Sequence, residues 1–331
     1  MNNIFDINDN FTINADVESV LQYGDLDAVS NPKVTIIVPC YNHPKYLKKA
    51  LLSAINQDYN EDYEIVVVDN DDSSEYTENR KIVEEINSPK ILYYHNEKNI
   101  GGTGNWNRGV ELARAPFITY CHDDDMLLSS SLSTLMKYQS QWGDKAVLGL
   151  NNYIDQNDIV FHNSNLSSKK YGILKLKDCF EYTLAHHFVC TLGYGQGSLL
   201  STKIFIELGG FGTDFQPTDD AAFIAKYIRY YGAVQVLIPT YNYRFAENDT
   251  YNVYSEIAKK HNEIRLQEIE YINIPRCILR RVAKAIYHSS AYSLERSLGG
   301  GKSIVNKPSL LDQLLTRICG LIYGISKYKL Y

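Results

Sequence analysis

Two kinds of apolar spacing alternate along the first 125 residues. Lys33 to Pro39 and Tyr63 to Val68 are almost unbroken apolar runs, and Ile91 to His95 and Phe117 to Tyr120 are shorter ones. Such runs mark strands buried on both faces of a parallel sheet. Between them Leu47, Ala50, Leu51, Ala54 and Ile55 fall on one face of a helix expected from about Pro44 to Gln57. Further helices are expected from about Glu75 to Ile86, over Asn107 to Arg114, from near Ser129, and over Ala221 to Tyr231. Strand, helix and strand in this order form right-handed crossover units, so the pattern predicts an α/β fold with a Rossmann-like, mostly parallel sheet flanked by helices. Each strand then ends in polar residues at one carboxyl edge, the edge where open α/β sheets bind ligands.

The sharpest of these ends is His122-Asp123-Asp124-Asp125, directly after the Phe117 to Tyr120 strand. Three adjacent carboxylates cannot be buried unpaired, so the strand must deliver them to an open edge. Their mutual repulsion is relieved by a hard divalent cation on oxygen ligands shared with substrate phosphates. The plainer alternative is a polar loop in which Asp125 caps the following helix. A second polar segment, Asn99-Ile100-Gly101-Gly102-Thr103-Gly104, precedes the helical run from Asn107. Clustered glycines before a helix let backbone N–H groups approach an anion, with Arg108 adding charge, although the spacing is neither a P-loop nor GxGxxG.

Composition and charge narrow the field. With 331 residues and 44% hydrophobic content the chain can bury one large core. The six cysteines lack CxxC pairs, which indicates neither a zinc site nor a disulfide framework. The first thirty residues carry six acids and no Lys or Arg, an acidic lead-in over 1–32 rather than a targeting segment. From Arg276 to Tyr331 the net charge is +8, leaving −14 on the rest. An acidic body argues against nucleic acid as a partner, and the basic tail suits an anionic surface. In that tail Leu310, Leu311, Leu314, Leu315, Ile318, Leu321, Ile322 and Ile325 recur at helical spacing, an amphipathic helix near 309–328 that is too polar to span a membrane. Packing on the protein's own core, or on a second subunit in a homodimer, is the alternative. Gly299-Gly300-Gly301 before it has the composition of a hinge.

Taken together, Val38-Pro39-Cys40-Tyr41-Asn42, Val66-Val67-Val68-Asp69-Asn70, Asn99-x-Gly101 with Asn107-x-Gly109, the aspartate cluster, Gly209-Gly210-Phe211 and Thr218-Asp219-Asp220 resemble, in order and spacing, the motifs of the family 2 glycosyltransferases of the GT-A fold. The resemblance covers roughly residues 33–245. It implies a catalytic domain over 33–250, with a nucleotide-binding half (33–125) and an acceptor half (126–250), followed by a helical basic extension over 251–331. It also implies site residues. Asp69 would contact the nucleotide base, with Pro39, Tyr41 and Asn42 bordering that pocket and Asn99, Gly101 and Arg108 on the donor. Asp123 would face the ribose, and Asp124, with Asp125 as second ligand or support, would hold Mn²⁺ or Mg²⁺ on the diphosphate. His122 departs from the family's usual aspartate and is expected to be a spacer, because oxygen-rich sites for these ions seldom recruit imidazole. Asp220 would be the base that takes the acceptor's proton, with Asp219 beside it; Gly197 and Ser198 would floor the acceptor site. Where the family often has a histidine, this chain has Ala246, so any such contact is expected to be absent or moved to Arg244. His186 and His187 are expected in the core or on the surface.

The function so implied is a metal-dependent, inverting sugar transfer from a nucleotide-diphosphate donor, a UDP-sugar, to a glycan acceptor. The acceptor class is a lipid-linked oligosaccharide of surface-polysaccharide synthesis, handled by a cytoplasmic protein peripheral on the inner face of the membrane. Two rivals differ in sequence. A sugar-nucleotide-forming nucleotidyltransferase needs a basic, Gly-rich loop where Pro39-Cys40-Tyr41-Asn42 stands, and a nucleotide-sugar-binding scaffold would lack Asp220.

Overall fold

The computed structural model describes residues 3–72, 77–162, 174–191, 195–245, 253–297, 307–325 and 328–330. The chain opens with a single 3-10 turn (Phe11–Asn14) and strand β1 (Ser19–Tyr23), followed by β2 (Val34–Cys40), α1 (Pro44–Ile55), β3 (Tyr63–Asp69), α2 (Glu78–Ile86), β4 (Ile91–Asn96), α3 (Gly101–Leu112) and β5 (Phe117–Tyr120). Beyond them come β6 (Met126–Leu127), α4 (Ser131–Trp142), β7 (Ala146–Ile154), β8 (Val160–His162), β9 (Leu174–Leu176), β10 (Cys179–Tyr182), α5 (Leu184–Val189), β11 (Leu200–Ser201), α6 (Thr202–Glu207), α7 (Asp219–Tyr231) and β12 (Ala233–Arg244). The helices α8 (Tyr254–Glu268), α9 (Arg276–Ser297) and α10 (Leu310–Ile325) form the extension.

The main sheet runs β1-β4-β3-β2-β5-β11. Its four central strands are parallel, and the two edge strands are antiparallel. Every residue of β2, β3 and β4 is buried, as their unbroken apolar runs require. Each Val or Ile so covered contributes about 1.5–3 kcal/mol relative to exposure. A second sheet, β10-β12-β7-β8 with β6 added on β12, packs behind the first and carries Tyr241 and Arg244 toward the carboxyl edge.

The structure departs from the sequence expectations, or adds to them, at three places. The glycine segment is not a loop before a helix: α3 begins at Gly101 and includes Gly102, Gly104 and Gly109. Gly109 lies so close to Ile37 that a Cβ there would strike that side chain, so the glycine sets the distance between α3 and β2. The acidic lead-in is part of the fold, since β1 pairs with β4 and Ile4, Phe5 and Val17 are buried. Finally, Arg108 points away from the carboxyl edge. Its guanidinium donates to the backbone carbonyls of Val17 (2.9 Å) and Asn14 (3.0 Å), contacts Ser19 Oγ and pairs with Glu111 at 2.8 Å.

Arg108 is therefore a clamp for the N-terminal strap rather than a donor contact. Arg108→Ala should cost about 2–4 kcal/mol, because several charge-assisted bonds are lost and buried carbonyls are left without donors. Urea unfolding should show that loss while nucleotide affinity stays unchanged; a fall in nucleotide affinity at unchanged stability would restore Arg108 to the donor site.

Candidate functional site

The carboxyl ends of β2, β3 and β5 and the N-termini of α3 and α7 share one rim. At the end of β2, Tyr41 is exposed and Asn42 takes a positive φ of 47°. The Asn42 N–H donates to the Asp71 carboxylate, and the Tyr41 N–H reaches Asp123 Oδ2 at 3.4 Å. Cys40 pairs in register with Asp69 and Pro39 with Val68, so the first two motifs lie side by side.

Asp69 is fully buried and faces the protein. Its carboxylate accepts from Thr77 Oγ1 (2.8 Å), Tyr93 Oη (2.5 Å), Asn79 Nδ2 (3.2 Å) and the Asp71 N–H (3.1 Å). It anchors the loop after β3, whose next carboxylate, Asp71, is half-buried at the rim and accepts from the Asn42 N–H on Oδ1 and from Asn79 Nδ2 on Oδ2 at 3.3 Å. Burial, Asp69 and Asp123 together raise the Asp71 carboxyl above its ordinary range. An amide network continues this edge. Asn70 donates to Asn99 Oδ1 (2.7 Å) and accepts from the Ile100 N–H (2.9 Å) and Asn96 (3.0 Å). Asn99 caps the Gly101 N–H at 2.8 Å. A Cβ at Gly101 would meet open space, so the start of α3 faces outward beside Asn99.

The aspartate cluster is held from below by Arg244. This fully buried guanidinium donates to Asp124 O (2.7 Å), Asp155 O (2.7 Å) and Asp158 Oδ1 (2.6 Å), and lies 4.1 Å over the Tyr46 ring. The Arg244 N–H donates to Asp125 Oδ1 at 2.6 Å. Arg244 thus fixes the cluster's backbone with donors spent inside the protein; Ala246 lies outside the described residues. Asp125 is 2% exposed, and its Oδ2 is buried with no hydrogen-bond partner among the described residues. A ligand atom from each of His122, Asp124 and Asp125 lies within 4.8 Å of the others. The fit to a divalent cation rests on that orphaned oxygen within a ready ligand set. Burial and then Asp124 raise the Asp125 carboxyl well above its usual range, repulsion that a cation would relieve. Asp123 faces the first loop instead, 3.8 Å from His43 Nδ1.

Across the rim, α7 begins with Asp219 and Asp220. Asp219 is buried and accepts from Thr103 Oγ1 of α3, which in turn accepts from Gln216 at 2.7 Å. Asp220 is half-buried and accepts only from the Ala221 N–H, at 2.7 Å, among the hydrogen bonds of described residues. Burial and the adjacent Asp219 push its carboxyl up to about 7. Asp125 and Asp220 both act on the Tyr241 hydroxyl, and Asp69, Asp71 and Asp123 on the Cys40 thiol.

Gly197 and Ser198 do not floor an open acceptor site. Gly197 is buried, has a φ of 56°, and lies against the Tyr241 ring. Ser198 is fully buried, and its Oγ accepts from the Gly149 N–H at 3.2 Å. The preceding Gly193 and Tyr194 lie outside the described residues, whereas Gln196 is half-exposed and contacts His122 Nδ1. His187 is a core residue paired with Glu268 at 2.5 Å. Sequence reasoning missed Thr77 and Tyr93 around Asp69, and the Gln196–His122 contact; these join positions 8, 24 and 74 residues apart that no helical or strand period relates.

The profile of glycosyl transferase family 2 matches residues 35–207, more than half the chain, and the protein belongs to that family. A glycosyl transferase assigned to colanic acid biosynthesis, WcaA of Escherichia coli strain K12, is 30% identical over 137 residues, 41% of this chain and 48% of that protein. The GalNAc(5)-diNAcBac-PP-undecaprenol beta-1,3-glucosyltransferase of Campylobacter jejuni is 41% identical over 109 residues, 32% of this chain and 34% of that protein. The chain thus spans half or less of the length of these curated relatives. Among solved structures, S. aureus TarS 1-349 in complex with UDP-GlcNAc superposes with a TM-score of 0.59 at 18% identity, covering 89% of this chain and 81% of that one. The mannosyltransferase PcManGT of Pyrobaculum calidifontis, in complex with GDP-Man and Mn²⁺, gives 0.53 at 16% identity, covering 92% and 83%. These likenesses establish the GT-A fold.

Proposed function

We propose that the protein transfers a sugar, with inversion, from a nucleotide-diphosphate donor to a hydroxyl of a glycan carried on a lipid diphosphate. The observation that carries this reading is the pairing of a cation-ready cluster (Asp124, Asp125 and its orphaned oxygen) with a separate carboxylate, Asp220, held near neutrality across the same rim. Asp71, Tyr41 and Asn42 border the base and Asp123 the ribose, with Asn99 and Gly101 at the outer wall. Asp124 and Asp125 would hold Mn²⁺ or Mg²⁺, which when bound neutralises the charge of the departing diphosphate. Asp220 takes the proton of the attacking hydroxyl, a role that a scaffold would not need and that a nucleotidyltransferase would place elsewhere. A UDP-sugar is the favoured donor, supported by the Campylobacter relative's glucosyl transfer and by the fold shared with the UDP-GlcNAc-bound TarS. Metal-dependent binding and hydrolysis across a panel of nucleotide sugars tests the proposal, and no response to any of them would overturn it.

The extension suits such an acceptor. Against expectation for a helix packed on its own core, α10 turns polar residues inward. Asp312 is buried and pairs with Arg281 of α9 at 2.6 Å, and Thr316 bonds Ser289 at 3.1 Å. The outward face carries Leu310 (85% exposed), Leu311, Leu314, Ile318 and Leu321, flanked by exposed Lys307, Arg317, Arg280 and Lys284. No helix among the described residues is long and apolar enough to cross a membrane. An apolar stripe edged by cations fits the surface of an anionic bilayer, which supports a peripheral association on the cytoplasmic face beside a lipid-linked acceptor. Leu314→Glu with Leu321→Glu should remove the protein from anionic vesicles in co-sedimentation without lowering its unfolding temperature. Undiminished vesicle binding would assign the stripe to another partner, a second copy of the chain included.

A further inference from the structure

Beyond the two carboxylates, the cluster contains an imidazole. His122 was expected to be a spacer, yet one of its ring nitrogens, one oxygen of Asp124 and one of Asp125 lie within 4.8 Å of one another. The Asp125 oxygen left over from the Arg244 N–H is buried and unpartnered among the described residues, so the cluster holds an acceptor that none of them satisfies. The ring is also held in place. It stacks on Trp106 at 5.2 Å between centroids and 28° between planes, and the Gln196 amide contacts Nδ1. The Trp106 ring is itself packed edge-on against Phe211, 5.5 Å between centroids. Stacking fixes the plane of the ring beside the two carboxylates, so that a ring nitrogen is presented to them without a search over rotamers.

We infer that His122 is a third ligand of the cation, so that the site offers one imidazole nitrogen and two carboxylate oxygens and favours a first-row transition ion such as Mn²⁺ over Mg²⁺. The inference rests on the proposed cation site and adds its selectivity. Mg²⁺ is bound through carboxylates and waters and gains little from nitrogen, whereas imidazole affinity rises along the first transition row. Gln196 and Trp106 act through His122 as positioning residues, because neither supplies a ligand atom to the set.

The test uses the full chain and the metal alone, without nucleotide. Pulsed EPR of the Mn²⁺-loaded protein should show nitrogen modulation from a directly bound imidazole, and His122→Ala should abolish it. In titrations His122→Ala should lower Mn²⁺ affinity by at least about 10–100-fold, the cost of losing only the outer partner of a ligating histidine, while Mg²⁺ affinity, read by competition, changes by a few-fold at most. Gln196→Ala should keep the nitrogen signal and weaken Mn²⁺ binding less. Bound Mn²⁺ without nitrogen modulation in the unmodified protein, or an equal loss for both ions in His122→Ala, overturns the inference. Should His122→Ala fail to fold, the unmodified protein's spectrum decides alone. The signal is independent of transfer: nitrogen-bound Mn²⁺ with no sugar transfer refutes the proposed function and leaves this inference standing, and active protein with oxygen-only Mn²⁺ does the reverse.

Discussion

Asp220→Asn should lower sugar-transfer turnover by roughly 10² to 10⁴-fold, the contribution of a positioned general base, while metal and nucleotide bind as before. The amide is isosteric and its oxygen still accepts from the Ala221 N–H, so the start of α7 keeps its geometry. What disappears is the ability to take a proton from the attacking hydroxyl. The same carboxylate predicts a pH profile. Burial and Asp219 raise it to about 7, and only the deprotonated form accepts a proton, so kcat/KM should fall as pH drops through that value and level off above it. In Asp220→Asn this limb should vanish. Turnover near that of the unmodified enzyme, or an unchanged acidic limb in the variant, would assign proton transfer to another group.

The sheet was legible in the chain because burial on both faces leaves a direct record: β2 and β3 read as apolar runs and proved to be covered at every position. The order of strand-end motifs likewise located the rim. What misled was direction. Asp69 ends its strand where expected, but its side chain turns to Thr77 and Tyr93, and Asp71 two residues later reaches the rim. Gly197 and Ser198 looked like open floor, since small residues admit close approach; here what approaches is the protein's own Tyr241 and Gly149. Glycine's low helix propensity argued for a loop at 101–104, yet at a first turn the cost is small and the adjacent Asn99 cap supports it. Arg108 illustrates the remaining gap: its partners Asn14, Val17 and Ser19 lie some 90 positions away, and helical periodicity gives no hint of them.

The second large effect concerns the cation. Asp124→Ala should abolish metal-stimulated nucleotide binding and reduce transfer by about 10³-fold or more, because metal neutralisation of a leaving diphosphate is worth several kcal/mol. Asp124 is the cleaner probe of the two ligands for a structural reason. Arg244 holds the Asp124 backbone carbonyl rather than its side chain, so truncation leaves the loop's support intact. Asp125, by contrast, both offers its orphaned Oδ2 to the ion and accepts from the Arg244 N–H through Oδ1, and its removal would disturb ligand and scaffold together. Calorimetric titration of UDP with and without Mn²⁺ reads the outcome. The unmodified protein should show a metal-dependent gain in affinity and Asp124→Ala none, at equal unfolding temperature. A variant that titrates metal like the unmodified protein would move the cation off the end of β5, and the paired-carboxylate account of the rim would have to be rebuilt around Asp71 and Asp123, the acids that then remain beside the first loop.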